Sequence, residues 1–261
     1  MRAEHLLEVL GGDDVALGAA VHFADPAVVE IAALAGFDWV SVAVEHATIT
    51  MKDVAALQLA ADVRSLTLLA HVTQPDDFRI LPLLNAGIGG VVLAHATRAD
   101  DVKRLVHTTR FPPLGDRGAH SAVRTTDYGD LPYAEYVAEI DRSVAIGLVI
   151  EDVAGLSNAA KILAVPGVDF TYVGLQDLSQ SLGRPGDVQH PDVRGAIERV
   201  VELAAPHGTH VAVSRYDYDV ADLRDLGVRM IATSMDHTAL LRSFRDDVDR
   251  ARTGLSSSPD A

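Results

Sequence analysis

The sequence predicts a single (β/α)₈ barrel. Short apolar, β-rich runs alternate along the chain with longer amphipathic runs, which is the pattern of repeated βα units. Eight runs of each kind fit within 261 residues, a length that α/β barrels commonly reach as one domain. A Rossmann-type sheet fits less well, because no G-x-G-x-x-G follows the first strand. We expect residues 1–253 to form the barrel domain and residues 254–261 to form a flexible tail.

The elements follow from these runs in chain order. Strands are expected at 16–22, 38–43, 66–71, 90–93, 144–150, 168–173, 210–213 and 229–232. Helices are expected at 26–35, 51–63, 76–86, 98–108, 153–164, 191–206, 217–226 and 236–250, after a short amphipathic helix in the first ten residues. Asp25-Pro26 marks a helix start and Gly36 marks a helix end. The connection 111–132 is unusually long, so it is either functional or a plain surface excursion.

Composition argues against several classes of protein. The formal net charge of -15 disfavours a nucleic-acid partner or an anionic membrane surface. The absence of cysteine excludes disulfides and thiolate ligands and is compatible with a reducing cytoplasm, the expected location. No apolar run approaches the roughly 18 residues that span a bilayer. The three lysines, Lys52, Lys103 and Lys161, fall in helix-like segments, so none is placed to form an imine with a substrate.

Acidic and imidazole side chains collect at the predicted carboxyl ends of the strands, where barrel enzymes place their active sites. Glu151 closes one strand-like run, and Asp177 lies just beyond another. Carboxylates that converge at one end of a barrel can share a divalent cation. The alternative is that they form ion pairs with arginines, for which Arg117, Arg124 and Arg215 are the candidates.

Two further patterns at the strand ends suggest chemistry. Glu45 precedes His46, and a neutral imidazole beside a carboxylate is suited to act as a general base. The segment 174–179 runs from a strand directly into a helical turn, whose backbone N–H groups would bind a carboxylate or phosphate. An ordinary capped turn is the alternative for this segment. His95, taken alone, is interpreted as a structural histidine.

The motifs in this order resemble the metal-dependent class II pyruvate aldolases of the HpcH/HpaI family. They are Leu34-Ala-Gly-Phe-Asp-Trp39, Glu45-His46, Thr109-Arg-Phe-Pro-Pro113, Arg117-Gly118, Ile150-Glu151 and Gly174-x-x-Asp-Leu-Ser179. The similarity runs from about Leu6 to Phe244, nearly the whole chain. It implies a barrel of the phosphoenolpyruvate/pyruvate-binding type and a homo-oligomer, a hexamer or trimer of dimers. It also implies that the C-terminal helix is exchanged between subunits.

The resemblance also implies roles for individual residues. Glu151 and Asp177 would hold Mg²⁺, Mn²⁺ or Co²⁺, which binds a small 2-keto acid and stabilises its enolate. The implied catalytic residues are His46, His71 and Glu45, with His46 moving the proton. The implied substrate-binding residues are Gly174, Leu175, Gln176, Ser121, Arg124, His22 and Arg215.

Five positions depart from the family pattern. His71 stands where the family carries an arginine that contacts the keto oxygen, and Val149, Ala43, Ala20 and Asn85 replace a glutamine, an aspartate, a tryptophan and an aspartate. We therefore expect a lyase acting on a 2-keto acid or related dicarbonyl compound in an altered pocket. The alternatives are another enolate reaction (condensation, decarboxylation or cyclisation), a protein that only binds a small molecule, and a phosphoenolpyruvate-type mutase or lyase.

Overall fold

The computed structural model describes residues 3–43 and 47–256. Its strands are β1 (Ala16–Val21), β2 (Trp39–Ala43), β3 (Thr67–Val72), β4 (Gly90–Leu93), β5 (Ala145–Ile150), β6 (Phe170–Val173), β7 (His210–Ser214) and β8 (Val228–Met235). They form a closed barrel in sequence order, and all neighbouring strands are parallel. The predicted (β/α)₈ barrel is confirmed.

Helices separate the strands. They are α1 (Glu4–Gly11), α2 (Pro26–Leu34), α3 (Met51–Val63), α4 (Ile80–Ala86), α5 (Ala99–Thr109), α6 (Tyr133–Ser143), α7 (Val153–Leu163), α8 (Leu175–Ser181), α9 (Pro191–Ala204), α10 (Val220–Asp225) and α11 (Asp236–Ser256). Helix α6 was not predicted, α8 was expected only as a helical turn, and α11 takes in the first three residues of the segment expected to be a tail. Within the described ranges, no helix is both long enough and apolar enough to cross a membrane.

Local side-chain chemistry sets where helices begin. The hydroxyl of Thr50 accepts the Asp53 N–H, and the Asp53 carboxylate accepts the Thr50 N–H, so α3 starts where the sequence predicts. Helix α4 starts four residues later than predicted. The Asp77 carboxylate accepts two hydrogen bonds from Arg79, one from the backbone N–H at 2.8 Å and one from the side-chain Nε–H at 2.9 Å, and these hold a turn before the helix. Helix α10 also starts late, since Asp219 caps it.

The amino-terminal end of the barrel is closed. Leu6 and Leu10 of α1 pack in the same buried cluster as Trp39 and Phe170 from the barrel interior. The Ala3 N–H donates to the carbonyl of the residue that ends α6, at 3.0 Å, which ties the chain start to the approach to β5. A second, larger apolar cluster lies between the strands and the surrounding helices. The carboxyl ends of the strands are therefore the end of the barrel available for a site.

The long connection 111–132 is anchored at the side of the barrel. The Arg117 guanidinium lies 4.7 Å from the centre of the Phe111 ring, and its Nη2–H donates to the Tyr136 hydroxyl at 2.7 Å. A 3₁₀ segment, Arg124–Gly129, follows, and Asp127 and Tyr128 within it adopt positive φ angles of 48° and 57°. Hydrogen bonds and ion pairs join this connection to α3, α4, α5 and α6, which lie around the outside of the barrel.

Candidate active site

A cavity of about 180 Å³ lies at the carboxyl ends of the barrel strands. Seven of the residues that the sequence predicts for the site line it: His22, His71, Glu151, Gly174, Leu175, Gln176 and Asp177. They lie in β3, directly after β1, β5 and β6, and in α8, which are far apart in the chain. The convergence expected of parallel strands in a barrel has brought these seven together.

Glu151 is held in place by His95. The side chain of Glu151 is only 10% exposed, and its Oε1 accepts the backbone N–H of His95 at 2.7 Å. The His95 Nδ1 lies 2.9 Å from the same oxygen. His95 adopts a φ of 51°, a conformation that is uncommon for residues other than glycine. The residue interpreted from sequence as structural therefore positions the buried carboxylate.

The second oxygen of Glu151 faces Gly174. A Cβ added to Gly174 would lie 2.8 Å from Glu151 Oε2 and 2.6 Å from Glu151 Cβ, so only glycine leaves room for this carboxylate. Asp177 lies in the first turn of α8, three residues further on, and borders the same cavity. Two carboxylates at one cavity fit a divalent cation such as Mg²⁺ or Mn²⁺, which prefers oxygen ligands.

Two tyrosines complete the cavity wall, and the sequence analysis missed both. Burial raises the pKa of Tyr172 far above its usual value, so its hydroxyl stays protonated, and that hydroxyl lies 3.1 Å from the Ser214 Oγ. Burial first, and then the negative charge of Asp177, raise the pKa of Tyr216. The sequence did carry a signal for Tyr172. It lies two residues after Phe170 in β6, so the two side chains point to the same side of the strand, and Phe170 lies inside the barrel.

Four of the five departures from the family pattern line the cavity. His71, Val149, Ala43 and Ala20 all border it, whereas Asn85 lies on α4. By the resemblance, Val149, Ala43 and Ala20 stand where the family carries polar or larger side chains. No arginine or lysine is among the described residues that line the cavity. The residues that distinguish this chain in the resemblance are therefore expected to act on the shape and charge of the pocket itself.

Three predicted substrate-binding residues lie elsewhere. The Arg124 guanidinium pairs with Asp62 at 2.5 Å and donates to the Ala86 carbonyl at 2.9 Å. Arg124 therefore lies away from the cavity, which corrects its predicted place in the site. Ser121 is exposed in the same connection, and its carbonyl accepts the Thr126 hydroxyl. The Arg215 side chain is exposed and does not line the cavity, although its backbone N–H binds the Ala232 carbonyl between β7 and β8.

The remaining predictions concern residues that lie outside the described part of the chain, on helices, or in ion pairs. The predicted catalytic residues Glu45 and His46 lie outside the described residues. Lys52, Lys103 and Lys161 lie on α3, α5 and α7, as the sequence predicts, and none lines the cavity. Of the arginines considered as partners for Glu151 or Asp177, Arg117 lies on Phe111 and Arg124 pairs with Asp62.

Replacing Arg124 by Ala is expected to reduce stability and leave substrate affinity unchanged. The variant removes a partly exposed ion pair and a hydrogen bond to a carbonyl, which together stabilise by about 1–2 kcal/mol. Urea unfolding measures the loss, and the KM for a keto-acid substrate measures the binding role. A tenfold or larger rise in KM with unchanged stability would contradict this expectation and show that Arg124 binds the substrate.

Comparisons with known proteins give the family and the fold of the chain. A model of the HpcH/HpaI aldolase/citrate lyase family matches residues 20–243. The hydroxypyruvate/pyruvate aldolase of Paraburkholderia phytofirmans is 32% identical over 241 residues, which cover 87% of this chain and 89% of that protein. Among solved structures, an HpcH/HpaI aldolase/citrate lyase family protein from Burkholderia cenocepacia superposes with a TM-score of 0.87 at 30% identity, covering 94% of this chain and 98% of that one. The citrate synthase SbnG superposes with a TM-score of 0.88 at 25% identity, covering 97% and 99%.

The closed barrel, the cavity at its carboxyl end and these relatives define an enzyme class, the aldolase-type carbon–carbon lyases. The chain belongs to the HpcH/HpaI aldolase/citrate lyase family. The resemblance drawn from the motifs is thereby confirmed.

Proposed function

We propose that this lyase makes or breaks a carbon–carbon bond next to the carbonyl of a small 2-keto acid, with a divalent cation held by Glu151 and Asp177. The observation that carries the proposal is the convergence of these two carboxylates on one cavity, with Gly174 leaving space beside the Glu151 side chain. When bound, Mg²⁺, Mn²⁺ or Co²⁺ would supply Lewis-acid stabilisation of the negative charge that develops on the keto oxygen.

The residues of the chain would orient the substrate. Leu175 and Gln176 line the cavity in the first turn of α8, where backbone N–H groups have no acceptor within their own helix, whereas the Gly174 N–H before them donates to the Ile150 carbonyl at 3.1 Å. We assign the substrate carboxylate to the amides of Leu175 and Gln176. The protonated hydroxyl of Tyr172 would donate to a substrate oxygen, and His71 would face the keto group in place of the family arginine. Proton transfer by His46, next to Glu45, remains a prediction.

The substrate is proposed to be pyruvate or a close analogue together with a carbonyl partner. A relative is named a hydroxypyruvate/pyruvate aldolase, which supports a small keto acid on the enolate side. The small side chains at Ala20, Ala43 and Val149 leave space for that carbonyl partner beside the keto acid. The alternative of a binding protein without activity is not favoured, because the relatives are aldolases.

Assembly and location are proposed on separate grounds. Helix α11 carries exposed apolar side chains at Leu240, Leu241, Phe244 and Val248, as a helix exchanged between subunits would. We therefore propose a homo-oligomer built from dimers, in keeping with the resemblance. We also propose that the enzyme works in the cytoplasm. A chain without cysteine has no disulfide bonds for the reducing conditions there to break.

Enolisation of pyruvate tests the proposed function directly. The purified protein with Mg²⁺, Mn²⁺ or Co²⁺ is expected to incorporate deuterium from D₂O into the pyruvate methyl group, measured by mass spectrometry. Removing the metal with a chelator should lower the exchange to the buffer background, and adding the metal back should restore it. Exchange that persists unchanged after complete chelation would contradict the metal role.

A further inference from the structure

Two histidines and an aspartate meet at the junction of β1 and α11. His22 follows β1, whereas Asp236 and His237 begin α11, so the chain separates the first residue from the other two by more than 200 positions. The His22 and His237 rings lie edge to face with their centres 4.7 Å apart. We call these three residues the His22–Asp236–His237 cluster. Neither Glu151 nor Asp177 belongs to it, although His22 also lines the cavity.

The carboxylate of the cluster is buried and held in a fixed orientation. The Asp236 side chain is 6% exposed, and its Oδ2 accepts the backbone N–H groups of His22 at 2.7 Å and Phe23 at 2.8 Å. Burial raises the pKa of Asp236, but hydrogen bonds from the backbone N–H groups of Phe23, His22 and His237 lower it by a larger amount. The pKa therefore lies below its usual value. The group is therefore an anion at neutral pH, and its Oδ1 points towards both imidazoles.

The spacing of the donor atoms suits a tetrahedral ion. The Nδ1 of His237 lies 3.1 Å from Asp236 Oδ1, and the Nδ1 of His22 lies 3.6 Å from the same oxygen. Ligand atoms bound at about 2.1 Å to one tetrahedral zinc ion are roughly 3.4 Å apart. One ligand atom from each residue lies within 4.8 Å of the other two. Small movements of the rings, one of which is 43% exposed, would bring the three atoms to equal distances.

We propose that the His22–Asp236–His237 cluster is a second cation site, which binds Zn²⁺ or a similar imidazole-preferring ion such as Co²⁺. Two imidazole nitrogens and one carboxylate oxygen form a donor set that suits these ions, whereas Mg²⁺ prefers oxygen ligands. Three protein ligands leave a fourth position for water or a small anion. The chemistry of the donors thus separates this site from the oxygen-ligated site proposed at Glu151 and Asp177.

An ion at this position would tie α11 to the barrel. Asp236 already connects the two elements through its hydrogen bonds to His22 and Phe23. Much of α11 beyond its first turn is exposed, including the apolar residues Leu240 and Phe244. A cation shared by β1 and the first turn of α11 would fix the direction in which this helix leaves the barrel. Metal binding should therefore raise the thermal stability of the folded chain.

The test uses Co²⁺ and a protein that lacks the other proposed site. The full-length E151Q/D177N variant is expected to bind one Co²⁺ per chain, with visible absorption bands typical of nitrogen ligation, and to melt at a higher temperature with the metal. Adding His237→Ala should weaken Co²⁺ binding by at least roughly 10- to 100-fold, the effect of losing even an outer-shell partner. That variant should also lose the metal-dependent rise in melting temperature. His237 is the choice because its ring is half exposed, so the substitution should be tolerated by the fold.

His107→Ala is the matched control. His107 also places its Nδ1 close to an aspartate oxygen, at 2.8 Å from Asp116, but it has no second imidazole beside it among the described residues. The E151Q/D177N/H107A variant is expected to bind Co²⁺ as tightly as E151Q/D177N. Failure of E151Q/D177N to bind Co²⁺ at millimolar concentration, or equal binding after His237→Ala, would overturn the proposal. Either result would leave the function proposed for Glu151 and Asp177 unaffected, because that site is absent from these variants.

Discussion

Replacing Glu151 by Gln and Asp177 by Asn together is expected to lower metal-dependent pyruvate enolisation by at least about 1,000-fold, or about 4 kcal/mol of transition-state stabilisation. Both changes keep the size of the side chain and remove the negative charge that would hold the cation. The amide oxygen introduced by Glu151→Gln would still accept the His95 N–H, which the carboxylate accepts at 2.7 Å, so the local structure should survive. Deuterium incorporation into pyruvate at saturating Mg²⁺ or Mn²⁺ measures the loss.

Asp217→Asn is the matched control for this experiment. Asp217 is also a carboxylate beyond the end of a barrel strand, but it is exposed and does not line the cavity. The exchange rate of this variant should stay within about twofold of the unsubstituted protein, since surface substitutions away from a site rarely matter. Circular dichroism and the melting temperature show whether the double variant is folded. A folded E151Q/D177N protein with the full exchange rate would remove these residues from the mechanism.

Replacing Gly18 by Ala is expected to destabilise the barrel by about 3 kcal/mol, at the upper end of the usual cost of overpacking a core. A Cβ at Gly18 would lie 2.1 Å from Trp39 Cε2, and the Trp39 side chain is fully buried inside the barrel. The indole cannot move freely, because its Nε1–H donates to the Ala16 carbonyl at 3.4 Å and its ring contacts Tyr172 edge to face. Urea unfolding measures the free-energy change.

A double-mutant cycle identifies the cause. In a Trp39→Leu background the same Gly18→Ala change should cost at least about 1 kcal/mol less, because the clashing ring is gone. Gly195→Ala is the matched control, since Gly195 lies within α9 with no atom within 4 Å of an added Cβ. That substitution should stabilise the protein by about 0.5–1 kcal/mol through helix propensity. Equal costs of Gly18→Ala in both backgrounds would mean that Trp39 is not the obstacle.

Much of the fold could be predicted because it depends on interactions between neighbours in the chain. Helix α3 was predicted from 51 to 63 and spans Met51–Val63, since its capping box is built from residues three apart. Strand β4 was likewise predicted without error, because its apolar run is bounded by turns. Helix α6 was missed although Tyr133, Tyr136, Val137 and Ile140 repeat at helical spacing in the segment between the long connection and β5.

The candidate site also contains some residues that could be predicted from the sequence and others that could not. Residues directly at strand ends, such as Glu151 and Asp177, were predicted to meet because the barrel fixes where strand ends converge. Arg124 was misplaced because it lies in a long connection whose path depends on its pairing with Asp62, 62 positions earlier in the chain. The left-handed backbone of His95, which positions Glu151, has no sequence signal at all.

The sequence alone determined the barrel, the order of its strands, most of its helices, the helical positions of the three lysines and the family of the chain. Those properties follow from hydrophobic periodicity, capping residues and motifs, all of which act over a few positions. Only the tertiary structure decided which oxygen of Glu151 faces Gly174, which residues enclose the cavity, and that His22 meets Asp236 and His237. These depend on side-chain directions and on contacts between distant segments, and packing of the whole chain sets both.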